Sequence, residues 1–357
     1  MKTVKHPAEY IAPGLVDALR DPALEAEQLK QVHPAQLAII YEHNWFNFFV
    51  PKAYHGLELS LPEALQQEEA LAWADGAVGW TVTLCAGAGW FIGFLNPELA
   101  GHVFDNKKVC LAGSGKRSGI AKIIADGYEI TGYWDYATGA NCATAFTANC
   151  VIEENGVVLK DTDGNPLVQS FLFLTDEVII HENWKRLGMI ATGSHSFEVK
   201  KIVVNKNRSF CIDPRYALLK QPVYQYPFLQ FAETTLAVNN SGMAIRFLDL
   251  CKLLFEKRST DNMQSCLAKA MKEMEAARLL FYTTVADSWQ ECHTDFCISP
   301  QLLQRVSSVS KQLAIVSRRV VDELYPYCGM QAADPETEIN RVWRNLHTAS
   351  QHSLFNS

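Results

Sequence analysis

The sequence predicts an α+β chain: helices first, then a compact β-barrel or sandwich, then a helical bundle. Three observations carry this. Apolar residues recur at helical intervals up to about residue 104, alternate with period two from about 107 to 210, and return to helical spacing after Asp213-Pro214. The segments are drawn as an N-terminal helical domain at 1–106, a central β-domain at 107–212 and a C-terminal helical bundle at 213–357.

In the first segment, Leu61 to Trp73 places Leu61, Ala64, Leu65, Leu71 and Ala72 on an apolar face. Gln66, Gln67, Glu68 and Glu69 are its expected polar face. Ser60 supplies the cap, with Pro62 and Glu63 in the first turn. A second run opens at Asp75-Gly76, and its small residues Ala86, Gly87, Ala88, Gly89 and Gly93 allow close helix packing. In the middle segment Tyr128–Thr131 and Phe197–Val204 read as strands. Turns fall between strands at Asp126-Gly127, Asn155-Gly156 and Asp163-Gly164, pairs that tolerate positive φ. In the last segment Leu267, Met271, Met274, Phe281 and Val285 recur at helical spacing. A further helix over 300–324 is expected to break at Tyr325-Pro326.

Composition narrows the function. Acidic residues outnumber basic ones 39 to 32, a net charge of −7, which disfavours a nucleic-acid partner. With 48% hydrophobic and 20% charged residues the chain is too apolar for disorder. No apolar run is read as reaching the roughly 18 residues of a membrane span, and 1–10 lacks a signal-peptide layout. A cytoplasmic protein with no membrane partner is the expectation. Ten scattered cysteines with no C-x2-C spacing read as small packing thiols, with no metal site.

Local motifs then point to a family. Val50-Pro51-Lys52-Ala53-Tyr54-His55-Gly56-Leu57-Glu58, followed by Glu68-Glu69-Ala70-Leu71-Ala72-Trp73-Ala74-Asp75-Gly76, resembles the N-terminal signature of the acyl-CoA dehydrogenase superfamily. The run from Gly127 to Gly139 resembles its flavin-facing strand pair, and Trp184–Met189 with Ala191–Val199 resembles the next β-segment. The C-terminal stretch from Arg341 to His352 resembles the oxygenase components of two-component flavin monooxygenases of the dibenzothiophene and p-hydroxyphenylacetate type. This resemblance implies a C-terminal four-helix bundle, a flavin cofactor (FMN or FAD, taken up as a reduced diffusible co-substrate), a separate flavin reductase and a homotetramer or homodimer. It also implies a small apolar or aromatic substrate.

Site residues follow from the same resemblance. His352 corresponds to a histidine near the substrate and the oxygen-activating ring, and Thr138 to a hydroxyl near flavin N5. Tyr136 takes the place of an aromatic packed against the flavin ring, beside Gly139. Ser114, in Gly113-Ser114-Gly115-Lys116, stands where flavin phosphate or ring oxygens are bound; the run is not a phosphate loop, because Cys110 and Arg117 occupy two of that motif's positions. Cys85 falls at a substrate-side position, and Trp80, Trp90, Phe91 and Phe94 are expected to line an aromatic pocket. Ser194 and His195 read as a turn before a strand, and Arg341 and Arg344 as structural. Departures count too. The dehydrogenases' catalytic glutamate aligns with Ser353, or in a second family location with Lys252. The arginine expected after Gly-Met is Ile190, and the pyrophosphate-binding Arg-x-x-Phe-Gly has no counterpart after Glu256-Lys257-Arg258. The chain runs only five residues past His352, shorter than the resemblance leads one to expect. Acyl-CoA dehydrogenation and a flavin-less scaffold or ligand-binding protein are the alternatives to oxygenation.

Overall fold

The computed structural model describes residues 4–258 and 260–355. Short helices α1 (Pro13–Arg20), α2 (Ala23–Leu29) and α3 (Pro34–Glu42) lead into α4 (Leu61–Ala74), α5 (Gly76–Gly89) and α6 (Pro97–Phe104). Ser60 and Glu63 form a reciprocal capping box at the start of α4, and Asp75 caps α5 by accepting from the Val78 amide. One difference from the sequence reading lies on α4. Glu68 and Glu69 are 0% and 1% exposed, because α8 covers the face expected to be polar.

Strands β1 (Leu111–Ile124), β2 (Gly127–Ala137), β3 (Ala145–Glu154), β4 (Val157–Val158), β5 (Val168–Leu174), β6 (Ile179–His181), β7 (His195–Asn205) and β8 (Ser209–Phe210) make one sheet. The order is β6-β7-β2-β1-β3-β5-β8, with β4 paired to β3; β1 and β3 are parallel and the other pairs antiparallel. Inward side chains, among them Trp134, Phe146, Phe171, Phe173 and Phe197, fill a core belonging to the sheet itself. Bulges interrupt β1 between Ser114 and Gly119 and β2 between Trp134 and Ala137. Both lie on the side of the sheet that faces the site described below.

The C-terminal helices are α7 (Pro222–Gln225), α8 (Phe228–Lys257), α9 (Asp261–Asp295), α10 (Pro300–Cys328), α11 (Met330–Ala333) and α12 (Glu338–Ala349). α8 is buried along most of its length, wedged between α4 and α5 on one side and α9 and α10 on the other. A buried ionic knot ties these layers: Arg278 of α9 donates twice to Glu69 of α4, which also accepts from Tyr282 and Ser241. Three further expectations are corrected. α10 continues through Pro326 to Cys328, held by the buried Leu324 and Cys328 against the bundle. Met271 faces solvent, while its helical companions Leu267, Met274, Phe281 and Val285 are buried. The segment Gly76–Phe94 is in fact long and apolar enough to match a membrane span, yet it is the central core helix, most of it covered by α4, α8 and the sheet.

Candidate active site

The bulge in β2 turns Tyr136 outward. Its φ is +70°, a conformation uncommon for a residue with a side chain, and it is 50% exposed. Lys116 Nζ lies 4.7 Å from the Tyr136 ring centroid, the Arg186 guanidinium 5.7 Å from it, and Trp184 meets it edge-on. Lys116 also pairs with Asp135 at 2.5 Å, and the other Asp135 oxygen accepts from Ser196 Oγ. The Lys116 bond is the main reason that the Asp135 carboxyl is held below its ordinary range. Ser114 joins this cluster, but its hydroxyl donates to the Asp135 carbonyl at 2.7 Å. Its single proton is thus committed to the backbone of β2.

Two residues further on, Thr138 is buried. Its Oγ1 lies 2.8 Å from Ser194 Oγ, which lies 2.7 Å from Thr192 Oγ1, and Thr192 donates to the Met189 carbonyl at 2.8 Å. Gly139 follows at φ +75°, its amide donating to the Thr192 carbonyl. A Cβ on Gly139 would stand 2.7 Å from Cys85 Sγ, so only glycine lets the strand end approach α5 here. The Cys85 thiol in turn points at the Thr138 carbonyl, 3.6 Å away. Cys110 and Cys142 complete a small thiol cluster, and burial keeps Cys110 well above the ordinary thiol range, a packing thiol rather than a nucleophile. Gly139, Thr192 and Cys142 also border a cleft of about 120 Å³ with Val32 and Leu37.

α5 links this strand end to the C-terminus. Cys85 and Thr81 meet Gly139, while the neighbouring Trp80 meets the His352 ring at 6.2 Å between centroids. Residues 80 to 85 span about 7.5 Å of helix, so the strand end at Thr138-Gly139 and the imidazole lie along one stretch of α5. The Leu354 amide donates to His352 Nδ1, which leaves the ring proton of neutral His352 on Nε2. Burial holds this imidazole below its ordinary pKa and so favours that neutral form.

Other residues singled out in the sequence lie elsewhere or act differently. Trp90 is fully buried, its indole N–H donating to the Val223 carbonyl and its faces stacked by Phe231 and Phe228. It belongs to an aromatic core and not to an open pocket wall; Phe94 packs against it, and only Phe91 of that group is partly open. Ser353 is exposed beside His352, and Lys252 is on the solvent face of α8. The carboxylates that α8 does bury are Glu233, with Oε2 unpartnered, and the half-covered Asp249, which accepts from Trp73. Arg341 and Arg344 are both buried, Arg344 paired with Glu27 at 2.8 Å. His347 is held by Asp322 and the Trp343 carbonyl. The sequence reading gave Ser194 only a turn role and assigned no site role to Thr192, Lys116 or Arg186. The available signal was the hydroxyl run Thr192-Gly193-Ser194, whose partner Thr138 lies 54 to 56 positions away.

Comparison with known proteins agrees with this architecture. Residues 236–357 match the family described as acyl-CoA dehydrogenase, C-terminal domain. Over 98% of this chain and 92% of the relative, the sequence is 25% identical to indole-3-acetate monooxygenase of Pseudomonas putida. The fold is similar to 3-HSA hydroxylase from Rhodococcus sp. RHA1, with a TM-score of 0.90, 21% identity and coverage of 99% of this chain and 93% of that one. It is also similar to XiaF from a Streptomyces species in complex with FADH2 and glycerol, with a TM-score of 0.86, 19% identity and coverage of 98% and 91%. Its C-terminal region is thus similar to the acyl-CoA dehydrogenase C-terminal domain, and its whole fold is similar to that of these hydroxylase and FADH2-bound structures.

Proposed function

We propose that the protein is the oxygenase component of a two-component flavin monooxygenase, taking reduced flavin from a separate reductase and acting on a small aromatic substrate. The observation that carries this reading is that the end of β2 at Thr138, whose carbonyl Cys85 meets, and a neutral imidazole, His352, which Trp80 meets, both lie along α5. The named activities of the similar proteins point the same way.

The residues fit a flavin. Tyr136 offers an exposed ring at a strained position, Lys116 and Arg186 supply positive charge beside it, and the buried Thr138 hydroxyl two residues on is bonded to Ser194. Bound reduced flavin, FMN or FAD, would supply the electrons that activate dioxygen. His352, neutral and carrying its proton on Nε2, is suited to donate a hydrogen bond from Nε2 to substrate or to a reacting oxygen. Trp80, beside it, helps exclude water. A homodimer or homotetramer is part of the same reading.

The experiment is an anaerobic titration of the pure protein with reduced FMN and FAD, followed by oxygen with indole or a simple phenol. Tight reduced-flavin binding and an oxygenated product are expected. Turnover of acyl-CoAs with an artificial acceptor would instead make Glu233 the base and the protein a dehydrogenase, a reading that its buried, unpartnered oxygen keeps worth the assay.

A further inference from the structure

The hydroxyl chain behind Thr138 has a direction, and that direction selects a redox state of the flavin. A hydroxyl owns one proton, and a carbonyl can only accept. Thr192 must therefore donate to the Met189 carbonyl, 2.8 Å away. Its proton is then spent, so Ser194 is the donor in the 2.7 Å bond to Thr192. Ser194 is spent in turn, and Thr138 is the donor in the 2.8 Å bond to Ser194. The anchor is rigid: the Met189 carbonyl also accepts from Trp184 Nε1, and the Met189 amide donates to Asn345 Oδ1 at 2.6 Å. Thr138, Ser194 and Thr192 are 5%, 4% and 1% exposed, which leaves water little access to reverse the order.

Thr138 is consequently presented as an acceptor. Reduced flavin carries a proton on N5 and can donate it into a hydrogen bond; oxidised flavin has a bare N5 that can only accept. We infer that Ser194 and Thr192 are positioning residues that fix the Thr138 hydroxyl as an acceptor and so make the site prefer reduced over oxidised flavin. This rests on the flavin reading above. Two acceptors facing each other in a water-poor site lose a hydrogen bond and keep its desolvation cost, a penalty that corresponds to roughly tenfold in affinity.

The test compares dissociation constants of oxidised and reduced FMN and FAD, measured anaerobically by fluorescence quenching, for the parent and for Ser194→Ala, Thr192→Val and Thr192→Ser. The parent is expected to favour the reduced form. Ser194→Ala and Thr192→Val free the Thr138 proton to turn toward N5, and the oxidised-to-reduced ratio of dissociation constants should fall about tenfold, chiefly by tighter oxidised-flavin binding. Thr192→Ser keeps the relay and should keep the parental ratio. A merely structural role would weaken both redox forms together and leave the ratio alone. A ratio unchanged within about twofold in both relay-breaking variants overturns the inference while leaving the flavin reading intact. A parent that binds neither redox form overturns both.

Discussion

At the scale of single residues, burial decides which groups are charged. His352 is held below its ordinary pKa of about 6.5 by desolvation. Between that lower value and about pH 6.5 the unfolded chain binds a proton that the folded ring refuses, so this group lowers stability as pH falls through the window. His352→Asn should therefore lose less stability than the parent between about pH 7 and 5.5, read by urea unfolding. Part of the slope should survive, since burial also lowers His195. The same variant should release more hydrogen peroxide per oxygen consumed while reduced-flavin affinity stays near the parent's; unchanged coupling would remove His352 from the chemistry. Glu68 has the opposite sign. Its carboxyl is buried beyond reach of any charge partner and is pushed well above its ordinary range by desolvation. The folded chain keeps the proton that the unfolded chain loses above about pH 4.5, so its cost grows as pH rises from there toward the raised value. Glu68→Gln should raise the melting temperature at pH 8 by more than at pH 4.5, and equal shifts at both would show that Glu68 does not stay protonated.

At the scale of elements, close approach of backbones places the site. A Cβ on Gly242 of α8 would stand 2.3 Å from the Glu69 carbonyl of α4, a backbone atom that cannot swing aside. Gly242→Ala should thus cost about 1–3 kcal/mol or more through overpacking, visible as a lower urea midpoint; a stability equal to the parent's would mean that α4 and α8 are not packed this tightly. The β2 bulge acts similarly on the other side, since it turns Tyr136 outward between Lys116 and Arg186. Both cations are substantially exposed, so their effect on an anionic ligand is screened by salt. Flavin affinity is expected to fall between about 20 and 300 mM salt, and Lys116→Met with Arg186→Met should flatten that dependence. A slope as steep in the double variant as in the parent would assign the charge to other residues.

At the scale of the whole molecule, the proposed assembly is testable first: sedimentation at micromolar concentration should give a dimer or tetramer, with half-exposed Leu280 on α9 and Ile315 on α10 among the apolar side chains available for contact. A monomer would overturn the proposed assembly. The order of helices, sheet and helices was legible in the sequence because period 3.6 and period 2 are local properties that survive without knowledge of neighbours. So was the capped start of α4, because the Ser60–Glu63 box closes within one turn. The resemblance of the segments at 127–139 and 341–352 singled out Thr138 and His352, on two elements that the fold lays along α5. What it could not show is how side chains face. Trp90 reads as a pocket aromatic, and the tertiary fold stacks it inside a core; Glu68 and Glu69 read as a polar face, and α8 buries them. Pro326 reads as a break, and packing of its neighbours carries the helix across it. The polarity of the Thr138 hydroxyl needed the fold most of all. It depends on a carbonyl at Met189, 51 positions along the chain, and a hydrogen-bond direction exists only when donor and acceptor have been brought into contact.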